Sequence, residues 1–229
     1  MCKMGAPWVY TLENFVSYDR EKLAARLHAD LSEADTAAEF DDFLRQAAAV
    51  ALPKLMLTKM PVEHVDESHV RLNGVLFQSK LLTENLREAA HVYGMVATCG
   101  TEIAEWAEQI DDPLLRYYAD EVMIETVGIA AAFAVKKVAA LEAADVDFVR
   151  NTSPGSCVDW PIFNQEGLFQ AIGDVTGRIS VVLSDSYLML PLKSVSGVYY
   201  ISPHSYTDCM YCSRTNCPNR RAEQIPLEI

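Results

Sequence analysis

Three cysteines near the C-terminus are the residues of this chain whose type and spacing most readily do chemistry. Cys209, Cys212 and Cys217 stand in the segment DCMYCSRTNCPNRR with the spacing C-x2-C-x4-C. Thiolates at this spacing can reach one ion or one cluster, because C-x2-C forms a tight turn and the next residues allow the chain to return. We therefore expect a metal site, with a disulfide or a disordered reactive tail as the alternative.

This cluster supplies three ligands, whereas a structural zinc ion usually takes four. Cys157, in a loop with two prolines and a glycine, and His204, just before the cluster, are the candidates for the fourth ligand. A neutral imidazole is a common metal ligand, and an exogenous molecule or a partner is the other source. Cys99 ends an apolar stretch and is expected to be a small buried residue, while Cys2 is assigned to a mobile terminus.

The composition limits the classes of function open to the chain. Its 229 residues suffice for a substantial core, 50% of them are hydrophobic, and the formal net charge is -13. Such a chain lacks the basic face that phosphate neutralisation requires, so we expect no nucleic-acid partner. The most apolar stretch, residues 126–135, is too short to cross a bilayer, which takes roughly 20 residues. We expect a cytoplasmic protein without a membrane partner. In the reducing cytoplasm, clustered cysteines more often bind metal than form disulfides.

The elements that must position these residues begin with helices. Residues 20–51 place apolar residues three and four apart, which predicts two amphipathic helices. Residues 54–65 and 69–79 have the composition of strands, with turn residues between and within them. Thr83 is predicted to cap a short helix, and an apolar strand follows over residues 92–100.

The second half of the chain is dominated by one long helix. A helix over residues 101–110 precedes it, Asp112 is suited to cap it, and Pro113 fits its first turn. Its middle is apolar nearly all round, which predicts a central buried helix. Beyond it the patterns predict, in order, a loop at 151–161, a helix at 162–173 and strands at 177–184 and 193–202. Helices and strands mix without regular βαβ alternation, which favours an α+β fold.

Two stretches of the chain together resemble a known family. They are SPGSCVDWP at 153–161 and LSDSYLMLPLKSVSGVYYISPHS at 183–205. In this order they resemble the activation domain of cobalamin-dependent methionine synthase, in which a proline–glycine loop precedes a strand with the pattern S-x-x-M-x-P-x-x-S-V-S-G-x-Y. In this chain the pattern falls on Ser186, Met189, Pro191, Ser194, Val195, Ser196, Gly197 and Tyr199. With the upstream segment MVATCGTEI, the resemblance covers roughly residues 70–206.

The resemblance implies an α+β fold with an antiparallel or mixed sheet and a long central helix. Residues 1–206 would form one activation-domain-like unit, with a helical part over residues 1–52, and residues 207–229 would be a cysteine-rich extension. The family binds S-adenosylmethionine and serves the reductive reactivation of a corrinoid. In that reaction an inactive cob(II)alamin takes one electron and is then trapped by a methyl group from S-adenosylmethionine.

The same resemblance implies particular partners. The cobalamin would belong to a corrinoid protein or a cobalamin-dependent methyltransferase, and an electron donor protein would reduce it. At this length the chain is not a complete methionine synthase, and whether it is itself an enzyme stays open. The alternative is a metal- or iron–sulfur-containing electron-transfer or docking protein for a corrinoid protein, without S-adenosylmethionine binding of its own.

A loop is the first part of the ligand site that the resemblance implies. Ser153, Pro154 and Gly155 match the segment whose backbone holds S-adenosylmethionine, and a glycine beside a proline lets a fixed backbone approach a ligand closely. The family usually carries an arginine just before this loop, suited to the ligand's carboxylate. Here Asn151 occupies that register, and Arg150 lies one residue early.

A strand supplies the second part of the implied site. Tyr199 matches a tyrosine beside the ligand, where its ring offers stacking or a cation–π contact to the sulfonium; simple packing is the alternative. Ser194 and Ser196 share one face of the strand and could donate to a ligand or satisfy neighbouring backbone. For the cysteines, this context favours an iron–sulfur cluster over zinc, because reactivation needs an electron of low potential.

Overall fold

The computed structural model describes residues 6–217 and 220–226, so Cys2 lies outside the described residues. The helices are α1 (Arg20–Leu27), α2 (Ala34–Val50), α3 (Lys80–Asn85), α4 (Thr101–Glu108), α5 (Pro113–Leu141), α6 (Asn164–Ile172) and α7 (Val175–Ile179). The strands are β1 (Trp8–Thr11), β2 (Lys54–His64), β3 (His69–Leu72), β4 (Val75–Gln78), β5 (His91–Thr98), β6 (Val149–Thr152), β7 (Val182–Leu183), β8 (Met189–Leu190) and β9 (Ser194–Ile201).

One antiparallel sheet forms the centre of the molecule. Its strands follow the order β4-β3-β2-β5-β9-β6, and β1 pairs with the first part of β2. Strand β9 lies between β5 and β6, so Tyr199 is opposite Tyr93 on one side and Asn151 on the other. The short strands β7 and β8 form a separate hairpin. This arrangement confirms the α+β class and the antiparallel sheet.

Helix α5 covers one face of this sheet. The Asp112 side chain accepts hydrogen bonds from the backbone N–H groups of Leu114 and Leu115, and Pro113 occupies the first turn, as predicted. The buried stripe of the helix consists mostly of small residues, namely Ala119, Val122, Thr126, Val127, Ala130, Ala134, Val138 and Ala139. Other sides of the helix carry exposed residues such as Ile124. The predicted long central helix is thus confirmed, although its burial is concentrated in one stripe that meets the sheet and the neighbouring helices.

The opposite face of the sheet is covered by α3, α6 and α7. Their core includes the edge-to-face pair of Phe77 and Trp160, whose ring centroids are 6.0 Å apart. Trp160 belongs to the loop after β6 and is only 1% exposed, so burial anchors the end of that loop. A separate cluster joins α1, α2 and α4 to the first half of α5. In the described part of the chain, no helix is long and apolar enough to cross a membrane.

Three local predictions differ from the structure. Ser79, rather than Thr83, caps α3: its Oγ accepts from the backbone N–H of Leu82 at 2.9 Å. Thr83 lies inside the helix and donates back to the Ser79 carbonyl at 2.8 Å. The predicted strand at 177–184 begins as the last turn of α7, which Asp174 caps. Strand β6 was not predicted, because its four residues show no apolar alternation.

Candidate functional site

A loop after β6, residues 153–161, lies against the middle of β9; we call it the Ser153 loop. The Ser153 hydroxyl donates to the backbone oxygen of Ser196 at 2.8 Å. Beside this bond, Gly197 has no room for a side chain, because a Cβ there would lie 2.7 Å from both Ser153 Oγ and the Thr152 carbonyl oxygen. The structure thus brings together the loop and the strand that the resemblance singled out.

The Ser153 loop is held in shape from within. Gly155 has a φ of +84°, in the region that favours glycine, and it is exposed. Its N–H donates to the Trp160 carbonyl at 2.7 Å, which closes the loop on itself. Pro154 beside it is buried, and Ile162 packs so closely that a Cβ on Gly155 would lie 2.9 Å from its Cδ1. The loop therefore presents bare backbone to solvent at Gly155.

The two predicted serines of β9 use their hydroxyls inside the protein. Ser196 donates to the Gln165 side-chain oxygen at 2.9 Å, which ties β9 to α6. Ser194 Oγ lies 2.7 Å from the Pro191 carbonyl and 2.9 Å from Thr98 Oγ1. Both serines are buried. Donation from either hydroxyl to a ligand stays a prediction, and it would require one of these bonds to be exchanged.

Tyr199 is buried on the face of the sheet that α5 covers. Burial raises the pKa of its hydroxyl to about 12. Its neighbour across the strand pair, Asn151, lies half-buried on the edge strand β6. The stacking of Tyr199 on a sulfonium is not tested by this packing, which shows the ring as part of the core.

Arg150 is engaged by backbone oxygens on the side of β6. Its guanidinium donates to the carbonyls of His204 at 2.7 Å and Asp147 at 2.6 Å. These bonds fasten the segment after β9 to the edge strand. Arg150 therefore has a structural task that competes with binding a ligand carboxylate.

The segment after β9 returns to the Ser153 loop through Tyr206 and Asp208, two residues that the sequence reasoning missed. The Tyr206 hydroxyl donates to Asp208 Oδ1 at 2.8 Å and lies 3.3 Å from Thr152 Oγ1. Burial raises the pKa of Asp208 above its usual value, and the hydroxyls of Thr152 and Tyr206 and the backbone N–H of Ser153 offset part of that effect. No local pattern signals this group, since Thr152 and Tyr206 are 54 residues apart.

The cysteine tail, residues 207–217 and 220–226, is organised by one arginine. The Arg220 guanidinium donates to four backbone carbonyls at 2.8 to 3.0 Å, those of Cys209, Cys212, Arg214 and Ala222. The tail also packs on the core face opposite α5 through Tyr211, which stacks on Tyr206. A positive side chain and a ring of carbonyls thus stand at the centre of this segment.

The predicted metal ligands do not converge in the described part of the chain. Across residues 6–217 and 220–226, no three histidine, cysteine or acidic side chains are grouped so that they could hold a metal ion. Cys209, Cys212 and Cys217 are free and partly buried. The backbone N–H of Arg221 lowers the pKa of Cys209.

The two candidates for a fourth ligand occupy different environments. Cys157 is buried within the Ser153 loop, where burial raises its pKa and the loop's backbone N–H groups partly offset the rise. His204 is exposed in the segment after β9. The described residues therefore offer no formed site that joins either side chain to the three tail cysteines.

A cleft of about 720 Å³ opens at the start of β9, between α4, the first half of α5 and the segment after β8. Among its charged residues, Lys193 pairs with Asp120 at 2.9 Å and Arg116 donates to the Ile110 carbonyl at 2.6 Å, and Glu105 and Glu108 also line the cleft. Ser194 and Ser196 are not among its lining residues. The cleft is therefore separate from the Ser153 loop.

The chain is similar in fold to a solved structure described as the MetH reactivation domain bound to AdoHcy. The superposition has a TM-score of 0.67 and 13% sequence identity, and it covers 88% of this chain and 80% of that chain. At this identity the likeness shows the fold alone. No protein-family model matches the chain, and no curated protein matches it. The fold implied by the sequence resemblance is thereby confirmed.

Proposed function

We propose that this chain, which has the fold of the MetH reactivation domain, binds S-adenosylmethionine and activates a separate corrinoid protein. One observation carries the proposal: the Ser153 loop is bonded to β9 within a fold shared over 88% of the chain. The solved domain holds AdoHcy, which is what S-adenosylmethionine becomes when it has given up its methyl group. Binding of a methyl donor at the Ser153 loop is therefore the function that the fold and the loop support best.

In the proposed reaction the corrinoid of the partner is the substrate. One electron from a donor protein converts cob(II)alamin to cob(I)alamin. The cobalt then supplies the electron pair for a new bond to the methyl carbon. The S–C bond breaks, and the sulfur keeps the two electrons of the broken bond. The products are methylcobalamin and S-adenosylhomocysteine, and no proton is taken up or released. The task left to this chain is to bind the donor and orient its methyl group.

The residues proposed to hold the ligand divide into contact and support. Ser153, Pro154 and Gly155 would offer backbone, since Gly155 is exposed and carries no side chain. Asn151, half-buried on β6, would offer its amide at the same edge of the sheet. Ser194 and Ser196 are buried on the face of β9 that meets α6, Tyr199 is buried on the face that meets α5, and both sets support the strand beneath the ligand.

The surface next to the loop suits a protein partner. Val158, Ile162 and Phe163 are 73%, 44% and 56% exposed, although all three are apolar. Ile162 adjoins Gly155, so this surface is continuous with the loop. Exposed apolar residues that adjoin one another commonly mark protein contact sites. We assign the corrinoid protein to this surface, because its cobalt must reach the donor's methyl group.

No step of the proposed reaction passes through a metal on the cysteine tail. The described residues bring no three suitable ligands together there, so the electron is assigned to a separate donor protein. Zinc or an iron–sulfur cluster on Cys209, Cys212 and Cys217 stays a prediction from their spacing. Metal analysis of protein purified without oxygen measures it directly.

Binding is tested by calorimetry with a matched pair of glycine variants. Gly155 and Gly74 have nearly equal φ values, +84° and +85°, so a Cβ strains the backbone alike at both. We expect Gly155→Ala to weaken S-adenosylmethionine binding about tenfold or more, because the Cβ also meets Ile162 in the loop. Gly74→Ala, in the turn between β3 and β4, should bind as the unaltered chain does.

Activation is tested by mixing the chain with a corrinoid protein in the cob(II)alamin state, a chemical reductant and S-adenosylmethionine. The absorption spectrum of methylcobalamin should appear only when the chain is present. If the chain binds the corrinoid protein but not S-adenosylmethionine at millimolar concentration, the docking alternative is correct and the proposed function is wrong.

A further inference from the structure

Asp208 is a partly buried carboxylate that has no cationic partner among the residues that the structure describes. Within residues 6–217 and 220–226, no lysine, arginine or histidine nitrogen lies within 4.0 Å of its oxygens. Its hydrogen-bond donors are uncharged: the Tyr206 hydroxyl at 2.8 Å, the Thr152 hydroxyl and the backbone N–H of Ser153. Desolvating an ion without an opposite charge is unfavourable, so this carboxylate is well placed to gain from a cationic group.

The position of Asp208 links it to the Ser153 loop. Tyr206 Oη stands between Asp208 and Thr152, the residue that leads into the loop. The hydroxyl of Tyr200, on the neighbouring strand β9, is buried and has no hydrogen-bond partner among the described residues. Burial raises the pKa of Tyr200. Asp208 is thus linked through Tyr206 to the start of the loop, and an unused donor lies on the strand adjacent to β6.

The ligand of the proposed function has the matching chemistry. S-adenosylmethionine carries two positive charges, on its sulfonium and its α-ammonium, and one carboxylate. The overall charge of -13 attracts a cation only weakly at a distance, whereas a desolvated carboxylate gives a strong, local contact. The Arg150 guanidinium already donates to backbone carbonyls. It is therefore less available to the carboxylate of the ligand than Asp208 is to the ligand's positive charges.

We propose that the Asp208 carboxylate binds the positively charged part of S-adenosylmethionine, so that the cysteine tail completes the ligand site. This inference rests on the proposed function and adds to it a residue outside the stretches that carry the family resemblance. The alternative is that Asp208 only ties the tail to β6 through Tyr206. A tie of that kind needs an acceptor oxygen but no charge, and this difference makes the two roles separable.

The test compares three variants by calorimetry against S-adenosylmethionine. Asp208→Asn keeps an acceptor oxygen for Tyr206 and removes the charge. Tyr206→Phe removes the hydrogen bond and keeps the charge. Asp185→Asn, at an exposed position, changes the net charge of the chain equally and controls for long-range attraction. Thermal unfolding of each variant shows that it is folded.

We expect Asp208→Asn to weaken binding about ten- to a hundredfold, the usual range for the loss of one charge-assisted contact. Tyr206→Phe and Asp185→Asn should stay within about threefold of the unaltered chain. Equal affinity of Asp208→Asn and the unaltered chain overturns the inference alone. Absence of binding by the unaltered chain overturns the proposed function instead, so the two failures are distinct.

A second titration with S-adenosylhomocysteine identifies the charge that is recognised. This ligand keeps the α-ammonium but has a neutral sulfur. If Asp208→Asn weakens only S-adenosylmethionine binding, the carboxylate contacts the sulfonium; if it weakens both ligands equally, the contact is to the ammonium. Equal weakening by Tyr206→Phe and Asp208→Asn would instead show that the hydrogen-bonded tie matters and the charge does not, which contradicts the inference.

Discussion

The hydroxyl of Ser153 donates a hydrogen bond to the backbone oxygen of Ser196, and this bond joins the Ser153 loop to the central strand β9. Ser153→Ala removes the donor and leaves that carbonyl without this partner. We expect the free energy of unfolding to fall by about 1 kcal/mol, measured by urea denaturation. Ser205→Ala, at an exposed position, is the control and should change the free energy by less than about 0.5 kcal/mol.

A second prediction concerns the space beside that bond. Gly197→Ala places a Cβ 2.7 Å from Ser153 Oγ and from the Thr152 carbonyl oxygen, so the loop must move away from β9. We expect a loss of about 1 to 3 kcal/mol, as for other overpacked sites. Gly128→Ala is the opposite case, because nothing lies within 4 Å of a Cβ at that position in α5. It should stabilise the protein by about 0.5 to 1 kcal/mol, and equal effects of the two variants would contradict the packing described here.

The first turn of α5 provides a third prediction. Asp112 Oδ1 accepts from the backbone N–H groups of Leu114 and Leu115 at 2.8 and 3.0 Å. Asp112→Ala leaves both groups to water, and we expect a loss of about 1 kcal/mol in the free energy of unfolding. Asp111→Ala removes an equal charge one residue earlier, where no capping bond is made, and should have little effect on the midpoint of denaturation.

A cluster at the other end of α5 predicts a dependence on pH. Glu142 Oε1 accepts from the Tyr93 hydroxyl at 2.5 Å and lies 2.9 Å from His91 Nε2 and 3.0 Å from Lys59 Nζ. Burial alone would raise the pKa of Glu142, but these three groups lower it from 4.5 to about 2. A lowered pKa means that the stabilisation is complete above about pH 4.5 and is lost as the pH falls towards about 2.

The corresponding variant is Glu142→Gln, which keeps the shape of the side chain and removes its charge. Urea midpoints measured between about pH 7 and about pH 3 should show the variant less stable at the upper end, with the difference from the unaltered chain shrinking as the pH falls. Glu67→Gln, at an exposed position, is the control. A difference that stays constant over this range would show that the charge of Glu142 does not stabilise the fold.

The tail makes a fifth prediction, with thiol reactivity as its measurement. Arg220→Ala removes donors from four backbone carbonyls, so Cys209, Cys212 and Cys217 should react several-fold faster with a thiol reagent. Arg214→Ala is the matched control, because Arg214 contributes its carbonyl rather than its side chain. Unchanged reaction rates in Arg220→Ala would show that another contact holds the tail.

Features set by neighbouring residues were predictable from the sequence. Asp112 and Pro113 identified the start of α5 to the residue, because capping depends on backbone groups only two or three positions away. The fold class followed from the order of the patterns and from the resemblance. The cap of α3 was placed wrongly, since Ser79 and Thr83 both suit that role and tertiary packing decides between them.

Features set by distant residues were not predictable in the same way. The loop and β9 were singled out by resemblance, but the internal partners of Ser194 and Ser196 depend on how α6 and the segment before β9 pack. Asp208 was not predicted as a site residue, because its link through Tyr206 to Thr152 of β6 joins residues that are far apart in the sequence. The spacing of the cysteines predicts a metal site, and it carries no sign that the Arg220 guanidinium binds the carbonyls of Cys209 and Cys212.

The bonds of Arg220 go to main-chain oxygen atoms, which every amino acid has in the same place. Replacing a tail cysteine by serine therefore leaves the scaffold of that segment intact. The thiols and the main-chain scaffold of the tail thus depend on different atoms, and we expect each cysteine to be replaceable without refolding the segment that carries Asp208.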